Sequence, residues 1–233
     1  GHFTITKHHE ELIITRGLLE KKHITILLKR IQAIGIKESI LRQPLGFASI
    51  YAVVAGGSMD QGEDFPILFP LIKKSEIESF LQTFLPQYAD GFNVELNRPP
   101  KQAFKYYLLR SSLFWLLVFC VIAFMFPQFT WIPFLLFMIS LLLGVLRYQD
   151  HGFQVEEKRL TIQYRLFSKV TMVMYHNRIQ ACQTSQHKLQ TLQSLSTIRL
   201  SIIGTLGHGN HYKLKDLREC DVMELVDWYS YRT

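Results

Sequence analysis

The stretch from Ser111 to Leu146 reads SSLFWLLVFCVIAFMFPQFTWIPFLLFMISLLLGVL, 36 residues without a charge. One helix of that length would overshoot a hydrocarbon core about 30 Å thick, and Pro127-Gln128-Phe129-Thr130 breaks it in the middle. The reading is a hairpin of two membrane-spanning helices over residues 107–148, each reaching roughly 27–30 Å at about 1.5 Å per residue. Neither span has the polar stripe that a solvent-facing helix of a soluble protein carries. Tyr106, Tyr107, Trp131 and Tyr148 fall where interfacial belt aromatics sit, and Arg110, one turn inside the first span, is expected to snorkel back to the interface. Lys101, Lys105 and Arg110 precede the hairpin, Arg147 follows it, and the connecting loop is uncharged, so the positive-inside rule puts both ends in the cytoplasm.

Outside this run the chain is long enough, at 233 residues, for two small domains. A hydrophobic fraction of 48%, aromatics at 13%, charge at 19% and a mean hydropathy of +0.10 exclude disorder as the main state. Residues 1–100 carry 11 Lys/Arg against 11 Asp/Glu, whereas residues 101–233 carry 15 against 8, so the whole excess of +7 lies beside and after the spans. A membrane surface is the partner this implies. Nucleic acid is not expected, because no dense Lys/Arg stripe with interleaved aromatics and no recognition-helix or RNP-like motif is present. Three scattered cysteines, Cys120, Cys182 and Cys220, make neither a disulfide framework nor a zinc ribbon and point to a reducing compartment. The chain opens Gly1-His2-Phe3, without Met or signal peptide, and is expected to be a piece of a longer one.

The flanks repeat each other. Arg30-Ile31-Gln32-Ala33 recurs as Arg178-Ile179-Gln180-Ala181, 148 residues on. At that offset Leu12 meets Leu160, Ile14 meets Ile162, Leu18 meets Leu166, Lys21 meets Lys169, Leu41 meets Leu189, Ile50 meets Ile198 and Gly56 meets Gly204. Two copies of one domain therefore bracket the hairpin. In the first copy, residues 3–7, 11–16, 18–28, 31–39 and 47–55 read as strands, with turn signals at His8-His9-Glu10, Gly17 and Gly56-Gly57. Ser75-Glu76-Ile77-Glu78 is expected to form a capping box, and Ile77, Phe80, Leu81, Phe84 and Leu85 follow at helical spacing. In the second, Val222, Leu225, Val226 and Tyr229 repeat that spacing. The expected fold is mainly β within an α+β class. Each domain is a curved antiparallel sheet or barrel of about six to seven strands closed by a C-terminal helix, over residues 1–90 and 149–233, with a linker at 91–106.

Strands followed by a helix, the Arg30-Ile31-Gln32 motif, the segment Leu41-Arg42-Gln43-Pro44-Leu45-Gly46-Phe47-Ala48-Ser49-Ile50 and the closing Ala55-Gly56-Gly57 resemble the bacterial pleckstrin-homology-like domains of membrane-flanked proteins, the YdbS/YdbT type. The second copy keeps Arg178-Ile179-Gln180 but has Gln190-Thr191-Leu192-Gln193-Ser194-Leu195 in place of the Pro-Leu-Gly-Phe segment. The resemblance implies a bacterial membrane protein of several spans, whose longer relatives carry a further such domain and further spans before this point.

No nucleophile with a base, paired acid and base, or metal cluster stands out, so neither catalysis nor a cofactor is expected. His8, His9, Glu10 and Glu11, and His208 with His211, read as solvated turn residues, and Gly56-Gly57-Ser58 as a hairpin turn rather than a phosphate loop. Arg30 and Arg178, with Gln32 and Gln180 beside them, have two readings: tying strand ends together through backbone carbonyls, or recognising an acidic peptide or lipid headgroup. Lys21, Lys22 and Lys29 in the first copy and Lys158, Arg159, Arg165 and Lys169 in the second read as solvated strand faces, or, if they face the bilayer, as a source of attraction to anionic lipid. The first reading of function is a non-enzymatic module on the bacterial cytoplasmic membrane that binds protein partners, a sister membrane protein or its own copies. The others are an anionic-lipid module and a component of envelope stress response or antimicrobial-peptide export; the spans lack the buried ionisable pair of a translocation path.

Overall fold

The computed structural model describes residues 3–16, 22–56, 65–204 and 209–231. Gly1, His2, Gly17, Leu18, Lys21, Gly57, Ser58 and His208 lie outside them. The first copy consists of β1 (Thr4–His8), β2 (Glu11–Arg16), β3 (Lys22–Leu27), β4 (Ile31–Glu38), β5 (Phe47–Val54), β6 (Ile67–Lys73), α1 (Lys74–Phe84) and the short α2 (Pro86–Ala89). Two long helices follow, α3 (Phe104–Met125) and α4 (Trp131–Gln149). The second copy consists of β7 (Gly152–Glu156), β8 (Arg159–Arg165), β9 (Lys169–Tyr175), β10 (Ile179–Ser185), the short α5 (Lys188–Thr191), β11 (Leu195–Ile203), β12 (Gly209–Arg218) and α6 (Glu219–Ser230). Even the 3-10 turns match at the 148-residue offset, Leu28–Arg30 against His176–Arg178.

The copies are fused rather than separate. Strands β1-β2-β3 form one sheet and β10-β11-β12 another, but the middle sheet runs β6-β5-β4-β9-β8-β7 and takes three strands from each copy. Its joint is β4 against β9, antiparallel, from Ala33 opposite Met174 to Glu38 opposite Lys169. Side chains alternate across a strand, so a sheet buried on both faces feeds two cores. Ile34, Ile36, Ile50 and Ala52 enter the first core with Val173 from the second copy. Ala33, Tyr51 and Val53 of the first copy enter the second core with Met172 and Met174. The result is three β layers with the shared sheet in the middle. Gly35 is required there: a Cβ on it would sit 2.2 Å from the ring of Tyr51.

Each terminal helix covers one core, α1 through Ile77 and Leu81 and α6 through Val222 and Leu225. The expected capping box does not form. The N-cap is Lys73, without a side-chain cap, and Ser75 lies inside the helix, because β6 runs straight into α1 and leaves no loop in which Ser75 could cap. A capping box does occur in the second copy, at His187 and Gln190, and the left-handed turn that Gly46 makes in the first copy at φ 70° is made there by Ser194 at φ 51°.

The linker does not stand apart either. Gly91 accepts a hydrogen bond from Thr161 Oγ1 at 2.7 Å, and Asn97 pairs with Phe153 on the outer edge of β7. Helices α3 and α4, of 22 and 19 residues, reach about 33 and 28 Å. They touch along small residues: Gly144 lies against Leu108 and Ser111, and Ser112 and Ser140 are buried between them. The outer faces, including Phe114, Leu117, Phe124, Leu135 and Leu142, are exposed, as lipid contact requires and a soluble core does not.

Candidate functional site

The polar residues that sequence places at the membrane interface converge on one junction between α3, α4 and the second copy. Arg110 does not snorkel away. Its guanidinium donates to Asp216 Oδ2 at 2.9 Å, with Tyr107's ring beneath it at 5.8 Å. Asp216, on β12, is 1% exposed and has φ 58°, and its other oxygen accepts from Gln190 Nε2 at 2.6 Å. Gln190, held at the start of α5, also donates to Thr197 Oγ1 at 3.0 Å. A carboxylate with two charge-assisted or amide donors can be buried where a bare one could not.

Around this pair the expected belt tyrosines are hydrogen-bonded to backbone carbonyls. Tyr107 is buried and donates to the carbonyl of Lys215 at 2.8 Å, Tyr106 to that of Leu189 at 3.3 Å, and Tyr148 to that of Pro99 at 3.3 Å. Lys105 lies over the Tyr106 ring, and Trp131, at the far end of the hairpin, is exposed. Arg147 donates to Ser111 Oγ at 3.0 Å and to the carbonyl of Leu166 at 3.1 Å, tying α4 both to α3 and to the β8–β9 turn. His151, just past α4, is 5% exposed against Tyr107, and its Nε2 has no partner among the described residues. Burial pushes its pKa down to about 4 against a smaller upward pull from Asp216, so the ring is neutral near pH 7.

The candidate cations of the second copy do not form a common face. Arg165 is buried, not solvated, because it pairs with Asp150 and donates to Gln43 Oε1 at 2.6 Å across the copy boundary. Lys169 lies 3.6 Å from Asp150, and Arg159 is shared between Glu156 at 3.2 Å and Asp90 at 3.8 Å. Lys158 is exposed in the β7–β8 turn. Arg178 donates to the carbonyl of Lys29 at 2.9 Å, bridging the two copies at the corner where β4 and β9 meet. Arg30 is exposed, and its carbonyl accepts from Ala55 N and from Gln32 Nε2. Gln32 is 3% exposed, whereas Gln180 is exposed and its carbonyl accepts from Tyr229.

Sequence reasoning missed Asp216, Gln190 and His151, none of which carries a spacing signal, and it missed three apolar tips. Leu41 (84% exposed) and Leu45 lie on the β4–β5 loop, Leu166 and Phe167 on the β8–β9 turn, and Leu189 and Leu192 (83%) at α5. All three tips attach to the base of the hairpin: Leu166 through Arg147, Leu189 through Tyr106, and the first loop through Gln43 and Arg165. Exposed apolar tips of this kind suit contact with an apolar surface.

The chain matches the family described as Bacterial PH domain over residues 2–87 and 108–233. It is 35% identical over 233 residues to the UPF0699 transmembrane protein YdbT of Bacillus subtilis (strain 168), which covers 99% of this chain and 47% of that protein. The chain thus spans about half the length of the curated relative it matches.

Proposed function

The chain belongs to the bacterial PH domain family, and on that premise we propose that it is a non-enzymatic scaffold of the bacterial cytoplasmic membrane. The hairpin crosses the bilayer twice, both modules lie on the cytoplasmic side, and the fused modules present their sheets to protein partners while held flat on the lipid surface. The observation that carries this reading is the Arg110–Asp216–Gln190 clamp, which fixes the second module to the helix base with the apolar tips on the same side. A tethered domain that only needed to stay near the membrane would have no use for a buried carboxylate held by a helix arginine at its root. Selective recognition of anionic lipid is less favoured, because Arg159, Arg165 and Lys169 are already engaged by carboxylates.

Two measurements test it. A cysteine in the Pro127–Thr130 loop reacts with an impermeant thiol reagent from outside intact cells, and one at Gly91 or Gly209 does not; labelling at Gly209 overturns the topology. Environment-sensitive labels at Leu41, Phe167 and Leu192 in bilayer-embedded protein shift to an apolar signal, equally in zwitterionic and anionic lipid. Fully aqueous signals at all three positions overturn the flat orientation.

A further inference from the structure

In the shared middle sheet, β4 of the first copy seats β9 of the second. At the 148-residue offset β10 is the counterpart of β4 and β3 the counterpart of β9. Among the described residues both of these strands are sheet edges, β10 pairing only with β11 and β3 only with β2. The chain thus displays both halves of a joint that it has already made once.

The β10 edge is also the unguarded one. Sheet edges are normally blunted by charge, proline or a cover. Among the other edges, β1 carries Lys7, β6 carries Pro70 and Lys73, β12 carries Lys213 and Lys215, and β7 is covered by Asn97. From Ala181 to Ser185, β10 reads ACQTS, with neither charge nor proline, and Gln183, Thr184 and Ser185 are exposed. Beside it runs an open groove against α6, lined by Thr184, Ser185, Val222, Met223 and Val226. The matching groove of the first copy, between β4 and α1, is bordered by Lys169 and Thr171 of the seated β9.

We propose that the β10 edge is a docking site for a second copy of this chain, whose β3 adds to it antiparallel in the register that β9 uses on β4. Carrying that register across places Ala181 opposite Ile26, Cys182 opposite Thr25, Gln183 opposite Ile24, Thr184 opposite His23 and Ser185 opposite Lys22. Thr25 then stands where β-branched Val173 stands in the existing joint. The contact is heterologous, one edge type on the other, so repeated use yields a ring or a row rather than a closed pair. Both copies of the β4–β5-type loop, the first holding Leu41 and the second Leu189, lie at the hairpin base, so the step from one module to the next keeps the membrane side down and added chains stay in the same bilayer. The inference needs only that neighbouring chains share one membrane orientation, not that it be the one proposed above.

The test is disulfide trapping of the full chain in native membranes, with two differently tagged forms co-expressed. In a background where Cys120, Cys182 and Cys220 are serine, His23→Cys on one form and Thr184→Cys on the other give a two-tag crosslinked species on mild oxidation. Its yield is at least tenfold above that of Thr6→Cys, on the far edge of the β1-β2-β3 sheet, paired with Thr184→Cys. Thr25→Cys on one form against Cys182 retained on the other gives the same product. The added charge of Gln183→Lys lowers two-tag recovery in the first pair at least fivefold. Absence of product at both matched pairs, or equal product with Thr6→Cys, overturns the proposal.

Discussion

The same four residues, Arg-Ile-Gln-Ala, lead from a 3-10 turn into β4 in the first copy and into β10 in the second, and the surroundings of the two strands are opposite. Strand β4 has a neighbour on each side and a core on each face, so seven of its eight residues are buried and Gln32 is sealed against the carbonyl of Arg30. Strand β10 has one neighbour, and its last three residues lie open. The second copy has something the first lacks, a buried carboxylate clamped by a transmembrane helix; the position 148 residues before Asp216 is Leu68, a plain core residue. The two copies thus share a fold and divide the work: the first is held by the shared sheet, and the second is held by that sheet and by the hairpin.

Loss of the clamp has the largest expected effect. Arg110→Met leaves the Asp216 carboxylate buried without its cation, which costs about 3 kcal/mol, the lower end for such losses because Arg110's side chain is 44% exposed. Thermal unfolding of the bilayer- or micelle-embedded chain shows the second module melting first. Lys74→Met in the first copy has a smaller effect, because the Glu38 carboxylate it leaves unpaired is 9% exposed against 1% for Asp216 and keeps more access to water.

Next comes the middle sheet. Gly35→Ala drives a methyl into the buried Tyr51 ring and costs about 2 kcal/mol by overpacking, whereas Gln183→Ala, at the equivalent position of β10, changes stability by less than about 0.5 kcal/mol. Equal effects of the two substitutions in denaturant unfolding would mean that the Tyr51 ring does not lie over Gly35 across the β4–β5 pair.

The pH dependence of the junction is of similar size. His151 has a folded pKa of about 4 against about 6.5 unfolded, so between those values the unfolded chain binds more protons and stability falls as pH falls. At pH 5 the loss attributable to this ring is about 2 kcal/mol, from about 1.5 units at 1.36 kcal/mol each. Melting curves at pH 7 and pH 5 show a smaller drop for His151→Leu than for the parent. An unchanged drop would place the acid sensitivity elsewhere.

The smallest contrast is between the two motif arginines. Arg178→Ala removes a hydrogen bond across the copies and lowers stability by about 1 kcal/mol, while Arg30→Ala stays within about 0.5 kcal/mol. Reversed magnitudes in the same melting assay would put the corner contact on Arg30.

Most of the secondary structure was written in local pattern. The uncharged run with Pro127 in its middle fixed two spanning helices, because hydrocarbon tolerates nothing else of that length. The 148-residue repeat determined that the copies share one strand order, and helical spacing located α1 and α6. One sequence sign of the shared sheet was present as well: Tyr51-Ala52-Val53-Val54 is apolar without alternation, as befits a strand buried on both faces. What covers the second face was not legible, since alternation reports burial and not the identity of the neighbour. Strand pairing between β4 and β9 joins residues far apart in the chain, and backbone hydrogen bonds carry no side-chain code, so only the tertiary structure decided that the modules are fused. The fates of Arg110 and Arg165 were decided in the same way. A long cationic side chain near an interface reaches for water unless a carboxylate is closer, and Asp216 and Asp150 were brought within reach only by the fold.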